Sequence, residues 1–263
     1  DSYVPLDPPN RKAIPVEKPE DVIGTPYIPC DLDRLVAVVP CDITDKVRPL
    51  GEIDEDAQKM GKNLVEFFKS EVAAGRLPAN LLPLQSGVGS VANAVINGLV
   101  NSDFEDLTVY TEVIQDGMFD LIDAGKLRVC SGTALSPSPD CLKKFYDNVE
   151  KYKKYIILRP QEVANSPEVA RRIGVIAMNT AIEVDIYGNV NSTHICGTKI
   201  MNGIGGSGDY ARNGYLTVFF TTSLAKGGAI SSVVPFCSHV DHTEHDVDVI
   251  VSERGVADLR GLS

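Results

Sequence analysis

Apolar and polar positions along the chain follow two different periods. Between Ile53 and Ala74, the residues Ala57, Met60, Leu64, Phe67, Phe68 and Val72 recur at the three-and-four spacing of one helix face, and Gly75 supplies a C-terminal stop. The spacing predicts an amphipathic helix. Beyond it, the short apolar runs LLPLQ (81–85), LTVYTEV (107–113), LRVCS (127–131) and YIILRP (155–160) read as strands. Helical patterns separate them at VANAVINGLV (91–100), MFDLIDAG (118–125) and about 139–149. Apolar strands alternating with helices predict a parallel sheet covered on both faces, an α/β architecture. An earlier run, Leu35-Val36-Ala37-Val38-Val39, closed by Pro40, also reads as a short buried strand. From residue 174 onward strands dominate: GVIAMNT (174–180), AIEVDIYG (181–188), YLTVFFTT (215–222), ISSVVPF (230–236) and VDVIVSE (247–253). Their short turns predict antiparallel or mixed strands added to the same sheet.

Residues 1–29 break both patterns. Seven of the 16 prolines lie in the first 30 residues, a composition that predicts an extended linker. With no Met at position 1, and with a strongly patterned segment running to Leu262 and Ser263, the 263 residues read as a piece of a longer protein. Apolar residues at 43% and charged residues at 23% are ordinary globular values and exclude disordered, collagenous and coiled-coil classes. A net charge of −11 argues against nucleic acid or an anionic membrane as the main partner, because either requires a basic face. It leaves room for a local pocket that takes a small anion. Apolar runs fall well short of the roughly 20 residues of a membrane span. Cys30, Cys41, Cys130, Cys141, Cys196 and Cys237 form no CxxC pair and read as reduced core residues.

Four segments could carry chemistry. In LPLQSGVGSVANAV, Gly87, Val88 and Gly89 form a strand-to-helix turn whose N–H groups can face an anion at the helix N-terminus; a plain tight turn is the alternative. In GTKIMNGIGGSGDYARNG, Gly203, Gly205 and Gly208 satisfy GxGxxG. A dinucleotide site also needs an acid about 20 residues on, and none occurs between Asp209 and Asp241. A loop of exposed N–H donors, including Gly206, is the better functional account of so many glycines. Glu112 closes the apolar strand LTVYTEV, at the edge where open α/β sheets collect ligands, and is a candidate nucleophile or base. Glu253 follows VDVIVS in the same way. His239, His242 and His245, interleaved with Asp241, Glu244 and Asp246, superficially resemble a metal site, but HExxH spacing is absent and a hydrogen-bonded polar loop is the favoured reading. No metal is therefore expected, and no GxSxG elbow supports a serine nucleophile.

The runs RLPANLLPLQSGVGSVANAV, YTEVIQDG, LRPQEVANSPEVARR, NGIGGSGDYARNGYL and HVDHTEHDVDVIVSERGVADLRG follow one another in that order. Together they resemble the acetyl-CoA hydrolase/transferase family of class I CoA-transferases, from about Pro26 to Ser263. The resemblance implies an open, mostly parallel or mixed sheet with flanking helices, the CoA-transferase (NagB/RpiA-like) domain. It also implies a division into residues 1–50, an inter-domain linker with the end of an N-terminal CoA-transferase domain, and residues 51–263, most of the C-terminal one. By the same resemblance Glu112 matches the nucleophilic glutamate, and Val88 and Gly206 match positions whose N–H groups form oxyanion sites. Asn165 matches an asparagine that contacts the bound thioester or carboxylate, and Glu253 an acid that helps order the site. The family more commonly has Gln or Glu-Gln-Gly where this chain has Glu253-Arg254-Gly255, which brings a basic side chain to that turn. Gly87, Gly89, Gly203, Gly205 and Gly208 are the expected loop glycines around the ligand.

The implied reaction moves CoA between acetate and succinate or similar short acids, with coenzyme A as substrate and no separate cofactor. Glutamate suits it, because its carboxylate can accept an acyl group and then carry CoA as a thioester that preserves the energy of the substrate. Each tetrahedral state carries an oxyanion, and one backbone donor stabilises such a state by roughly 2.7–4 kcal/mol. An acyl-CoA hydrolase on the same scaffold, a nucleotide-binding dehydrogenase fragment built on GIGGSG, and a catalytically silent binding domain are the alternatives. Acyl-CoA and short carboxylates are the expected partners, with a homodimer for the full-length protein, no nucleic acid and no membrane. Reduced cysteines and acetate metabolism fit the cytoplasm or the mitochondrion.

Overall fold

The computed structural model describes residues 1–43, 45, 47, 49, 51 and 53–261. Residue 50, where the expected domain division falls, and the final residues Leu262 and Ser263 lie outside the described residues. Eight strands make the main sheet: β1 (Leu84–Ser86), β2 (Leu107–Tyr110), β3 (Leu127–Gly132), β4 (Ile156–Leu158), β5 (Ile176–Thr180), β6 (Leu216–Phe220), β7 (Val249–Ser252) and β8 (Gly255–Asp258). Their spatial order is β8-β7-β6-β5-β1-β2-β3-β4. All neighbours run parallel except β7 and β8, which form an antiparallel edge. The chain starts at the centre, winds outward through β2, β3 and β4, then returns beside β1 and winds the other way. The order therefore reverses between β1 and β5, and the crevice at the carboxyl ends of these strands is the place where open α/β sheets bind ligands.

The first four of the eight helices follow the predicted periodicity, and the other four are short. The eight are α1 (Glu55–Ala73), α2 (Ser90–Val100), α3 (Asp116–Asp123), α4 (Pro139–Asp147), α5 (Val149–Tyr152), α6 (Gln161–Ala164), α7 (Pro167–Ile173) and α8 (Ser207–Ala211). Asp54 caps α1 by accepting from the Ala57 amide at 2.8 Å, and Ala57, Met60, Leu64, Val65 and Phe68 are buried on its inner face. Alternation along each strand sends neighbouring side chains to opposite layers. On β5, Ile176 and Met178 join the cluster with α1, α2 and α3, while Ala177 between them joins Val163, Val169, Tyr110 and Tyr210 on the other face. The α/β architecture and its mostly parallel sheet agree with the sequence reading.

Three local expectations are corrected. Leu35–Val39 forms no strand: Val36 is 97% exposed, and among the described residues no strand pairs with the backbone of this apolar run. Of the two arrangements expected for the second-half strands, the main sheet has the mixed one, because β5, β6 and β7 continue it in parallel and only β8 reverses. AIEVDIYG and ISSVVPF leave that sheet altogether; Val233–Val234, Glu183–Asp185 and Val190–Asn191 form a separate three-stranded sheet. The Pro-rich start has the irregular backbone of a linker but is docked. Ile14 and Val16 are buried against Val163 and Val169, and Arg172 donates to the carbonyls of both Ile14 and Val16. Among the described residues no helix is long and apolar enough to cross a membrane.

Candidate active site

β2 ends at Tyr110, and the next two residues are held by the strands on either side. Thr111 donates its hydroxyl to the Ser86 carbonyl at 3.2 Å and its amide to the Ser131 carbonyl at 2.9 Å. The Glu112 carbonyl accepts from the amides of Thr133 and Ala134 at 2.8 and 3.2 Å. This leaves the half-buried Glu112 side chain at the carboxyl edge of the sheet. Its Oε2 accepts from Asn165 Nδ2 at 2.9 Å. The Gly206 backbone lies against the same oxygen, so that a Cβ at position 206 would overlap both Glu112 Oε2 and Asn165 Nδ2. Gly206 has φ −84°, which any residue adopts, so space and not torsion demands glycine there. Gly205 is the opposite case, with φ +58° and open space around its missing side chain.

Asn165 follows the single-turn helix α6 and donates its own amide to the Gln161 carbonyl at 2.8 Å. Its Nδ2 also faces Asp209 Oδ2 at 3.5 Å, so one side-chain amide stands between two carboxylates. Among the described residues its Oδ1 is buried and meets no donor, one of only two buried side-chain atoms in that condition. The other is Oγ1 of Thr133, whose amide binds the Glu112 carbonyl. Burial raises the Asp209 carboxyl above its ordinary value, the Asn165 bond opposes this, and the Glu112 charge reinforces it.

A cavity of about 590 Å³ opens at the β1/β5 crevice, lined by Gly87, Val88, Glu112, Gly203, Gly205 and Gly206 among others. Six of the ten expected site residues, Glu112, Val88, Gly206, Gly87, Gly203 and Gly205, thus face one space, while Asn165 reaches it through Glu112. Among the described residues, the N–H groups of Val88 and Gly206 donate to no protein acceptor. The remaining glycines have other duties. Gly87 donates to the Met178 carbonyl at 2.8 Å and ties the turn to β5. Gly89, at φ +115°, gives its N–H to Gln115 Oε1 at 3.2 Å. Gly208 is inside α8, away from the lining, with its carbonyl accepting from Arg212. Glu253 is not brought to Glu112. It follows β7, four strand steps from β2, roughly 19 Å at about 4.8 Å per step. Its Oε2 accepts from the Ser223 amide at 2.8 Å, and its Oε1 accepts from the Ser223 hydroxyl and pairs with Arg254. Burial pulls its pKa up, but the Ser223 bonds prevail and hold it below the ordinary value.

The GxGxxG run does not have dinucleotide geometry. The strand before it, Lys199–Ile200, belongs to a two-stranded hairpin outside the main sheet, and α8 spans only five residues. The histidines have separate surroundings: His239 pairs with Asp241 at 3.2 Å, His242 is buried beside Phe219 with Nε2 3.1 Å from Ser207 Oγ, and His245 is exposed. Sequence reasoning passed over Gln85 and Asn179, which line the cavity and bind one another at 3.0 and 3.2 Å. An amide at the carboxyl end of each of two apolar strands was the available signal. It also passed over Asp209, whose only sequence signal was its place beside the glycine run.

Residues 142–263 match the family described as the acetyl-CoA hydrolase/transferase C-terminal domain. Over 263 residues the chain is 58% identical to the succinyl-CoA:acetate CoA-transferase of Clostridium kluyveri, covering 100% of this chain and 49% of that protein. Over 260 residues it is 48% identical to the acetyl-CoA hydrolase of Neurospora crassa, covering 97% of this chain and 50% of that protein. The chain thus spans about half the length of the curated relatives it matches. The crystal structure of a 4-hydroxybutyrate CoA-transferase from Porphyromonas gingivalis superposes with a TM-score of 0.61 at 23% identity, over 83% of this chain and 51% of that one, a likeness of fold alone.

Proposed function

From the premise that this chain belongs to the acetyl-CoA hydrolase/transferase family, we propose that it carries the nucleophilic half of an enzyme transferring CoA between short-chain carboxylates. The observation that carries the reading is the contact of one carboxylate, Glu112, with the Asn165 amide and the Gly206 backbone inside a cavity at the sheet's switch point. Glu112 attacks the thioester carbonyl, the C–S bond breaks, and an acyl-glutamyl anhydride forms with CoA thiolate as leaving group. The thiolate then attacks the glutamyl carbonyl, expelling the donor carboxylate and leaving a glutamyl-CoA thioester. The acceptor carboxylate reverses both steps. The N–H groups of Val88 and Gly206, free of protein acceptors among the described residues, are suited to the developing oxyanions. Acetate and succinate are the acids we assign, with coenzyme A as substrate and no further cofactor.

Incubating the full-length protein with acetyl-CoA under rapid quench should leave a CoA-sized mass adduct on the wild type and none on Glu112→Ala. A wild type that forms no adduct overturns the reading. Hydrolysis is the second reading, favoured by the 48% identity to a protein named acetyl-CoA hydrolase. Thioester loss that is equally fast with and without added carboxylate selects hydrolysis over transfer.

A further inference from the structure

Two buried tyrosines take no part in the chemistry above, yet both hydroxyls are directed at the turn that bears Asn165. Tyr110 donates to the Val163 carbonyl at 2.5 Å and Tyr210 donates to the Ala164 carbonyl at 2.6 Å. These are the two residues immediately before Asn165, at the end of a helix only four residues long, where carbonyls lack an intrahelical partner. Both rings are fully buried. Tyr110 is the last residue of β2, two positions before Glu112, and Tyr210 sits in α8, four positions after Gly206. Each of the other two groups at the site is therefore tied through one hydroxyl to the turn that holds the third. Burial raises both phenols above their ordinary pKa, which keeps them protonated and donating.

We propose that Tyr110 and Tyr210 are positioning residues whose hydroxyls set the Asn165 amide against the Glu112 carboxylate. The proposal rests on the transfer reading given above. A general packing role predicts a different result, because a packing defect lowers stability without singling out Asn165. The arrangement instead predicts that the hydroxyls act through Asn165 alone, so their effect vanishes once that side chain is gone.

The test is a double-mutant cycle in the full-length enzyme. Tyr110→Phe and Tyr210→Phe should each lower kcat roughly tenfold, the scale of a sub-ångström misplacement, with KM for acyl-CoA within about twofold. In an Asn165→Ala background neither change should lower kcat further. Unchanged kcat in the single variants, or an equal loss in both backgrounds, overturns the proposal. Should a Phe variant fail to fold, 3-fluorotyrosine at that position retains ring and hydroxyl. Its 19F resonance should then shift on addition of acetyl-CoA, and an unmoved resonance at both positions also overturns the proposal. A wild type without a Glu112 adduct rejects the transfer reading itself, whereas Phe variants that form the adduct at the wild-type rate reject only the tyrosine role.

Discussion

Asn165 Nδ2 lies 2.9 Å from Glu112 Oε2, which fixes the sense of the side-chain amide, since a flipped Asn165 would set two acceptors face to face. Replacing Asn165 with Ala in the full-length enzyme removes a hydrogen bond to a charged group, a change of about 1.5–3 kcal/mol. A fall in kcat of roughly 10-fold to 150-fold is expected in a CoA-release assay. Asn165→Asp should lose more, because it sets a third carboxylate beside Glu112 and Asp209.

Gly206 and its neighbour separate the effects of space and torsion. Gly206→Ala should lower the rate of adduct formation more than about 100-fold, because its methyl group meets the Glu112 carboxylate, the proposed nucleophile, while the backbone angle suits alanine. Gly205→Ala should instead cost about 1 kcal/mol of stability from its positive φ, visible as a lower Tm. A Gly206→Ala enzyme with wild-type adduct kinetics would contradict this arrangement.

Asp209 should trade stability against activity. Burial, reinforced by Glu112, raises its carboxyl pKa, so the folded protein holds that proton more tightly than the unfolded chain. The resulting stabilisation is fully present below the ordinary value of 3.8 and is lost as pH rises through the folded value. At pH 7, therefore, Asp209→Asn should raise Tm, while kcat falls because one of the two acceptors facing Asn165 becomes neutral and holds its amide less firmly. Calorimetry and steady-state assays on one preparation check both halves.

Glu71 should act in the opposite direction. This buried residue of α1 accepts from Arg76 at 2.6 and 2.9 Å and from Arg260 at 2.9 Å, and these bonds hold its pKa down to about 2 despite burial. Its stabilisation is present above 4.5 and is lost as pH falls from there through about 2. Glu71→Gln should destabilise the fold at pH 7 by roughly 2 kcal/mol and flatten the acid limb of a denaturant titration. An unchanged acid limb would mean that other carboxylates govern acid unfolding.

The sequence reveals burial more readily than pairing. The Ala57 to Phe68 stripe and the apolar runs around Val109 and Val129 mark a helix and strands because their side chains alone report the core. Leu35–Val39 carries the same signal and, among the described residues, has no strand beside it, and nothing within five residues can show whether a neighbour exists. The departure of AIEVDIYG and ISSVVPF from the main sheet is hidden for a related reason, since short turns look alike whether the next strand joins this sheet or another. At the site, Glu112 is legible from its place at a strand end. Asn165, on an irregular turn, came only through the family resemblance, and Asp209 meets it through a fold contact 44 residues apart.

The reversal of strand order between β1 and β5 also concerns the birth of the molecule. Glu112 belongs to the outward winding, whereas the 201–207 loop belongs to the return. A nascent chain that has folded only through β4 holds its carboxylate with no Gly206 beside it and no α8 to anchor the Asn165 turn. The proposed Glu112 site is thus complete only once the second winding lies beside the first.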